Sequence, residues 1–173
     1  MRKLIWLALV AATLLVTGCG ELLSLHALYT AQDRVFDARL EGQWESEGVR
    51  LLVQREGDLY NVTWQSKKDP SDFAKYEVHL VDINGVRFAD ALWVDAIGHM
   101  FLRVRVTEGQ LHLAFLDSEW LRSRTSHEEA DVDQGRKQAV LTVGTSQLRK
   151  VVGRFAREPK AYDEKELVFG RPN

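Results

Sequence analysis

Tyr76-Glu-Val-His-Leu-Val-Asp-Ile-Asn-Gly-Val-Arg-Phe-Ala-Asp-Ala-Leu-Trp93 decides the fold. Asn84-Gly85 sits between two apolar-rich runs, and this dipeptide readily takes the positive φ angles of a type I′ turn. Folding about that two-residue loop pairs Leu80 with Ala89, Val78 with Ala91 and Tyr76 with Trp93 on one face. The other face brings Val81 to Phe88 and His79 to Asp90. Apolar residues on both faces mark a hairpin covered from both sides, unlike one that lies on a single core. Asp82 and Arg87 meet near the turn as a cross-strand ion pair of the kind that contributes about 0.2–1 kcal/mol.

The flanking segments repeat the device. A two-residue loop at Glu56-Gly57 pairs Val53 with Tyr60, Leu51 with Val62 and Val49 with Trp64. One at Glu108-Gly109 pairs Val106 with Leu111, Val104 with Leu113 and Leu102 with Phe115. A one-residue slip would scatter either apolar set across both faces, so alternation specifies the facing. After Asp117, a helix start is expected, with Asp117 or Ser118 accepting from the first free amides. Thr125 to Lys137 reads as a polar, solvated loop, and Ala139 to Val143 as a short strand. A helix follows near Thr145, with Leu148, Val151, Val152 and Phe155 at helical spacing and Pro159 as its stop. Glu166 to Arg171 is the last strand. The class is mainly β (α+β): an antiparallel meander or partly closed barrel of about 7–8 strands, with one or two helices in the C-terminal half.

Ahead of the first strand stands Gly42-x-Trp44, which resembles the entry motif of the lipocalin and calycin barrels. That likeness implies a barrel that carries a small apolar ligand. A helix and a long polar segment after six or seven strands depart from those families' regular eight-strand meander. The domain as a whole is also similar to small β-rich bacterial lipoproteins of unassigned activity.

The N-terminus carries an address. Arg2 and Lys3 precede an apolar run from Leu4 to Val16, the build of an export signal. The run is too short to cross a bilayer core of about 30 Å, which needs about 20 apolar helical residues. Val16-Thr17-Gly18-Cys19 resembles the lipobox of bacterial lipoproteins. The likeness implies cleavage between Gly18 and Cys19 and a diacylglycerol thioether on Cys19, placing the protein in the cell envelope. Gly20, where inner-membrane lipoproteins often carry Asp, favours the periplasmic face of an outer membrane if the source has two. The expected organisation is a signal peptide over 1–18, the lipidated cysteine and a tether over 19–32, and one β-rich domain over 33–173. Leu22, Leu25 and Leu28 give the tether a weak helical pattern, suited to a helix or arm lying on the domain or the bilayer.

Composition narrows the function classes. Of 23 Lys+Arg and 25 Asp+Glu, Arg2 and Lys3 fall in the leader, leaving 21 against 25 and a net charge of −4. Neutralising nucleic-acid phosphates needs a basic surplus, so nucleic acid is not an expected partner. Cys19 is the sole cysteine, and lipidation would consume its thiol.

The sharpest polar constellation is His79 opposite Asp90, since a carboxylate orients an imidazole in hydrolytic sites. No Gly-x-Ser-x-Gly accompanies it. A metal would need His79, Asp90, His99 and His112 to converge from separate hairpins, and neither metal nor cofactor is expected. Arg103 and Arg105 beside His112 suit an anionic headgroup, a partner or plain solvent. Trp44, Tyr60 and Trp120 join the inward-facing aromatics, of which Trp64, Tyr76, Trp93 and Phe115 are candidates to line an apolar cavity if the sheet closes. The reading is a lipid-anchored, non-enzymatic binding or assembly module that meets the membrane through Cys19 and an envelope protein as partner. The alternatives are a lipocalin-like carrier, or an envelope hydrolase using His79 and Asp90.

Overall fold

The computed structural model describes residues 22–94, 98–126, 130–133 and 138–172. The leader, Gly18 and Cys19 lie outside the described residues. Strands β1 (Leu22–Ser24) and β2 (Arg34–Val35) lead into β3 (Gly42–Glu45), β4 (Val49–Glu56), β5 (Leu59–Ser66), β6 (Phe73–Ile83), β7 (Val86–Trp93), β8 (His99–Thr107) and β9 (Gln110–Phe115). An insertion then carries α1 (Ser118–Arg122), β10 (Ala130–Asp133), β11 (Gln138–Leu141) and α2 (Thr145–Phe155), before β12 (Leu167–Gly170). Strands β3 to β9 pair as an antiparallel meander, and β12 bridges β9 to β3. The result is an eight-stranded closed antiparallel barrel, which removes the exposed edges an open sheet would leave. No helix among the described residues is long and apolar enough to cross a membrane.

The central hairpin keeps the register read from its residues, including Leu80–Ala89, Tyr76–Trp93 and His79–Asp90. Asn84 and Gly85 take φ of 51° and 78°, the left-handed pair a type I′ turn needs. The β8–β9 hairpin also keeps its expected pairs, Val106–Leu111 through Leu102–Phe115. The β4–β5 hairpin does not: its loop is Gly57-Asp58, so Leu51 faces Trp64 and Val53 faces Val62. Gly57 at φ 57° takes the first central position of the turn, where a positive φ is required. A shift of two residues leaves every side chain on its expected face, because strand alternation has period two.

Two further expectations are corrected. From Leu22 onward the segment read as a tether is an arm on the domain, one of the placements expected of it, but it starts as a strand and not a helix: β1 runs parallel to β11 and bridges β8 at Ser24–His99. Leu28 is wholly buried within the core. Of the three leucines that suggested a helix, Leu22 and Leu28 are drawn into the domain by burial, which outweighs the local pattern, while Leu25 stays 53% exposed. The polar segment Thr125–Lys137 contains a strand, β10, paired to β11 through Asp131–Val140 and its neighbours. Its acidic sequence is tolerated because it lies at the sheet edge.

Apolar residues divide between two cores on either side of the barrel wall. Inside lie Leu51, Val53, Val78, Leu80, Leu102 and Val104 among others. Outside, Val81, Phe88 and Phe101 meet Leu148 and Val152 of α2 and Leu121 of α1. Asp117 caps α1 by accepting from the Trp120 amide at 2.8 Å, and Trp120 itself sits in this outer layer, edge-on to Phe155. Val78–Val81 of β6 and Phe88–Ala91 of β7 are therefore covered on both faces.

Candidate functional site

Alternation along each strand aims every second side chain into the barrel. On β7 those residues are Ala89 and Ala91, opposite Leu102 and Met100 of β8. Two methyl groups where Leu or Phe would fill the space leave a cavity of about 470 Å³. That lies within the range of small-molecule sites, about 300–1,000 Å³. Its lining is overwhelmingly aliphatic and aromatic, including Val62, Val78, Leu80 and Leu113.

One end of the barrel is closed. The short 3-10 turn Ala38–Leu40 brings Leu40 against the interior. Tyr60 is buried, its hydroxyl donating to the Asp37 carbonyl at 3.2 Å and accepting from the Asp37 amide at 2.8 Å. Asp37 in turn is paired with Arg39 at 2.6 Å and Arg87 at 2.9 Å, and the Arg39 hydrogen bond holds its carboxyl below the usual range. Arg87 also carries the expected pairing with Asp82, at 2.9 Å. Trp44 donates from its indole nitrogen to the Leu40 carbonyl at 2.7 Å. The guanidinium of Arg171 lies 3.7 Å over the Trp44 ring and donates to the carbonyls of Arg39, Glu41 and Gln43. Gly42 makes this possible: its φ is +109°, and a Cβ there would stand 2.7 Å from an Arg171 nitrogen. The Gly-x-Trp motif is thus part of a locked floor.

The opposite end is the mouth. Val49, Trp64, Tyr76, Met100 and Phe115 line it and are only partly buried. Leu167, also lining, is 41% exposed. Of the four aromatics singled out for a cavity, Trp64, Tyr76 and Phe115 line it, whereas Trp93 does not. Trp93 ends β7 above the level the walls enclose, 43% exposed, with its ring 6.4 Å from that of Tyr76.

His79 and Asp90 occupy the outer face and have different partners from those expected. Asp90 is 1% exposed and accepts from the Leu28 amide at 2.5 Å and from His99 Nδ1 at 2.6 Å. Tyr29 stacks on His79 with ring centroids 4.0 Å apart. Burial, helped by Arg34, lowers the His79 pKa and favours the neutral ring. The imidazole on Asp90 is therefore His99, which the β7–β8 register places diagonally, opposite Leu92. The nearby buried Ser24 donates its hydroxyl to the His26 carbonyl at 2.8 Å. This cluster fastens segment 25–33 to the wall, reinforced by Thr145 donating to the Ala27 carbonyl and Arg149 to that of Leu28.

His112 lies apart, sharing Glu166 with Arg105 at 2.9 Å and Arg103 at 3.6 Å on the outer wall. Glu166 is lowered in pKa: hydrogen bonding from His112 and the charges of the two arginines outweigh its desolvation. Among the described residues no group of three His, Cys, Asp or Glu is arranged to hold a metal ion.

No protein-family model, no curated protein and no solved structure matches this chain.

Proposed function

We propose that this protein is a non-enzymatic barrel carrier that takes up a small apolar molecule through its mouth, while a lipid on Cys19 holds it at a membrane surface of the cell envelope. The supporting observation is the cavity of about 470 Å³ between half-buried lining residues and a locked floor. An apolar space of this size offers water almost no hydrogen-bonding partners, so an apolar guest is the favoured occupant. Of the binding and assembly roles compatible with the sequence, the cavity favours binding. Asp90 and His99 supply a carboxylate and an imidazole, but the carboxylate is spent on the Leu28 amide and on His99 itself.

The test is calorimetric titration of the full-length, envelope-extracted protein with hexadecanol in dilute detergent. Saturable binding of one molecule per chain is expected, and Ala91→Phe should abolish it while the folded circular-dichroism spectrum persists. No binding, or binding unchanged in the filled variant, would refute the carrier. The anchor is checked separately by mass spectrometry of the mature N-terminus. A diacylglyceryl-modified Cys19 is expected, and an unmodified thiol on freely secreted protein would contradict it.

A further inference from the structure

We infer that the guest is a single-chain amphiphile with an anionic head, its tail among the apolar residues of the barrel and its head at Lys165. This rests on the carrier reading and names the chemistry the same site would select. Lys165 lines the cavity at its mouth, two positions before Leu167. A lysine suits that place because its stem lies along apolar surface while the ammonium stays in water.

The backbone on both sides of Lys165 is fixed. Before it, Leu116 bridges to Tyr162, the Asp163 amide donates to the Phe115 carbonyl at 3.0 Å, and Arg103 covers the Tyr162 ring at 4.1 Å. After it, Glu166 is held by Arg105 and His112, and β12 begins. The ammonium is thus carried between two anchored positions, Asp163 and Glu166.

Its charge is also unspent. Among the described residues Lys165 has no ion-pair partner. The adjacent Glu166 is already shared by three cationic or cation-capable side chains. On the neighbouring strand β3, Glu45 lies outside the cavity lining and is occupied by Lys67 at 2.6 Å and Arg50 at 3.0 Å. An anionic head arriving with its tail in the barrel meets a cation without having to displace a resident carboxylate.

The experiment compares hexadecanoate, hexadecyl phosphate and hexadecanol on the full-length protein at pH 8, in low and high salt. At least one anion should bind about two- to fivefold more tightly than the alcohol, the size of an exposed ion pair. The preference should shrink in high salt. Whichever anion shows the larger preference identifies a free carboxylate or a phosphate head. Lys165→Met should erase the preference of the anions over hexadecanol, and Lys165→Glu should reverse it. Equal affinities for anions and alcohol in the wild type, or a preference that survives Lys165→Met, overturns the assignment. If hexadecanol itself fails to bind, the carrier reading falls, a result distinct from loss of the charge preference alone.

Discussion

The two faces of the β6–β7 hairpin carry cores of opposite character. Outward, Val81 and Phe88 are fully buried against the helical insertion and segment 25–33. Inward, the same strands present Ala89 and Ala91 to an open cavity whose other lining residues become steadily more exposed toward the mouth. Eight-stranded barrels either fill their interior with side chains or hold one small ligand. Here an outer core large enough to stabilise the chain leaves the inner one free to stay hollow. The insertion between β9 and β12, which departs from a plain meander, is what builds that outer core.

Substitutions on the two faces should therefore separate. Phe88→Ala in the outer core is expected to cost about 3–5 kcal/mol of stability by urea unfolding, the range for a buried aromatic. Met100→Ala on the cavity wall should cost well under half of that, since its side chain already borders open space. Equal costs would mean that the interior is packed.

Asp90→Ala comes next, at about 3 kcal/mol, because the Leu28 amide and His99 lose a buried acceptor. Hydrogen exchange should locate the opening in segment 25–33 and leave the mouth-lining strands protected. Exchange spread evenly over the barrel would contradict the division of labour between faces.

Overpacking gives a smaller, sign-sensitive contrast. Ala114 is buried in the outer core, and Ala114→Leu should destabilise by about 1–3 kcal/mol. Ala91→Leu, pointing into the cavity, should leave the melting temperature unchanged or raise it while weakening hexadecanol binding.

The smallest effect is a pH dependence of the outer face. Folding lowers the His79 pKa, so below its ordinary value of 6.5 the unfolded chain takes up a proton before the folded one does. Stability should fall as pH drops from 6.5 toward the lower folded value, and His79→Phe should flatten that slope. A steeper slope in the variant would show that the sign is wrong.

Much of the barrel could be read from its residues because turn chemistry and alternation act locally. Asn84-Gly85 and Glu108-Gly109 set two registers outright, and facing was retained in the third even where the loop moved to Gly57-Asp58. Three of the four cavity aromatics follow from facing alone, while Trp93 needed the height of the wall. What escaped depends on distant parts of the chain. His99 reaches Asp90 only through the β7–β8 register, across a connection without a tight-turn signal. Arg171 meets Trp44 only once β12 has closed the barrel. Leu28 gives no hint that its amide binds Asp90 until segment 25–33 is laid across β7.

The most direct measurement is methyl NMR of the full-length protein titrated with hexadecanol. Shifts should be confined to the inner wall, at Val62, Val78, Met100 and Leu102, saturating at one equivalent, while Val81, Leu148 and Val152 stay still. Perturbation of the outer methyls, or no change at the inner ones, would contradict a hollow, ligand-binding barrel.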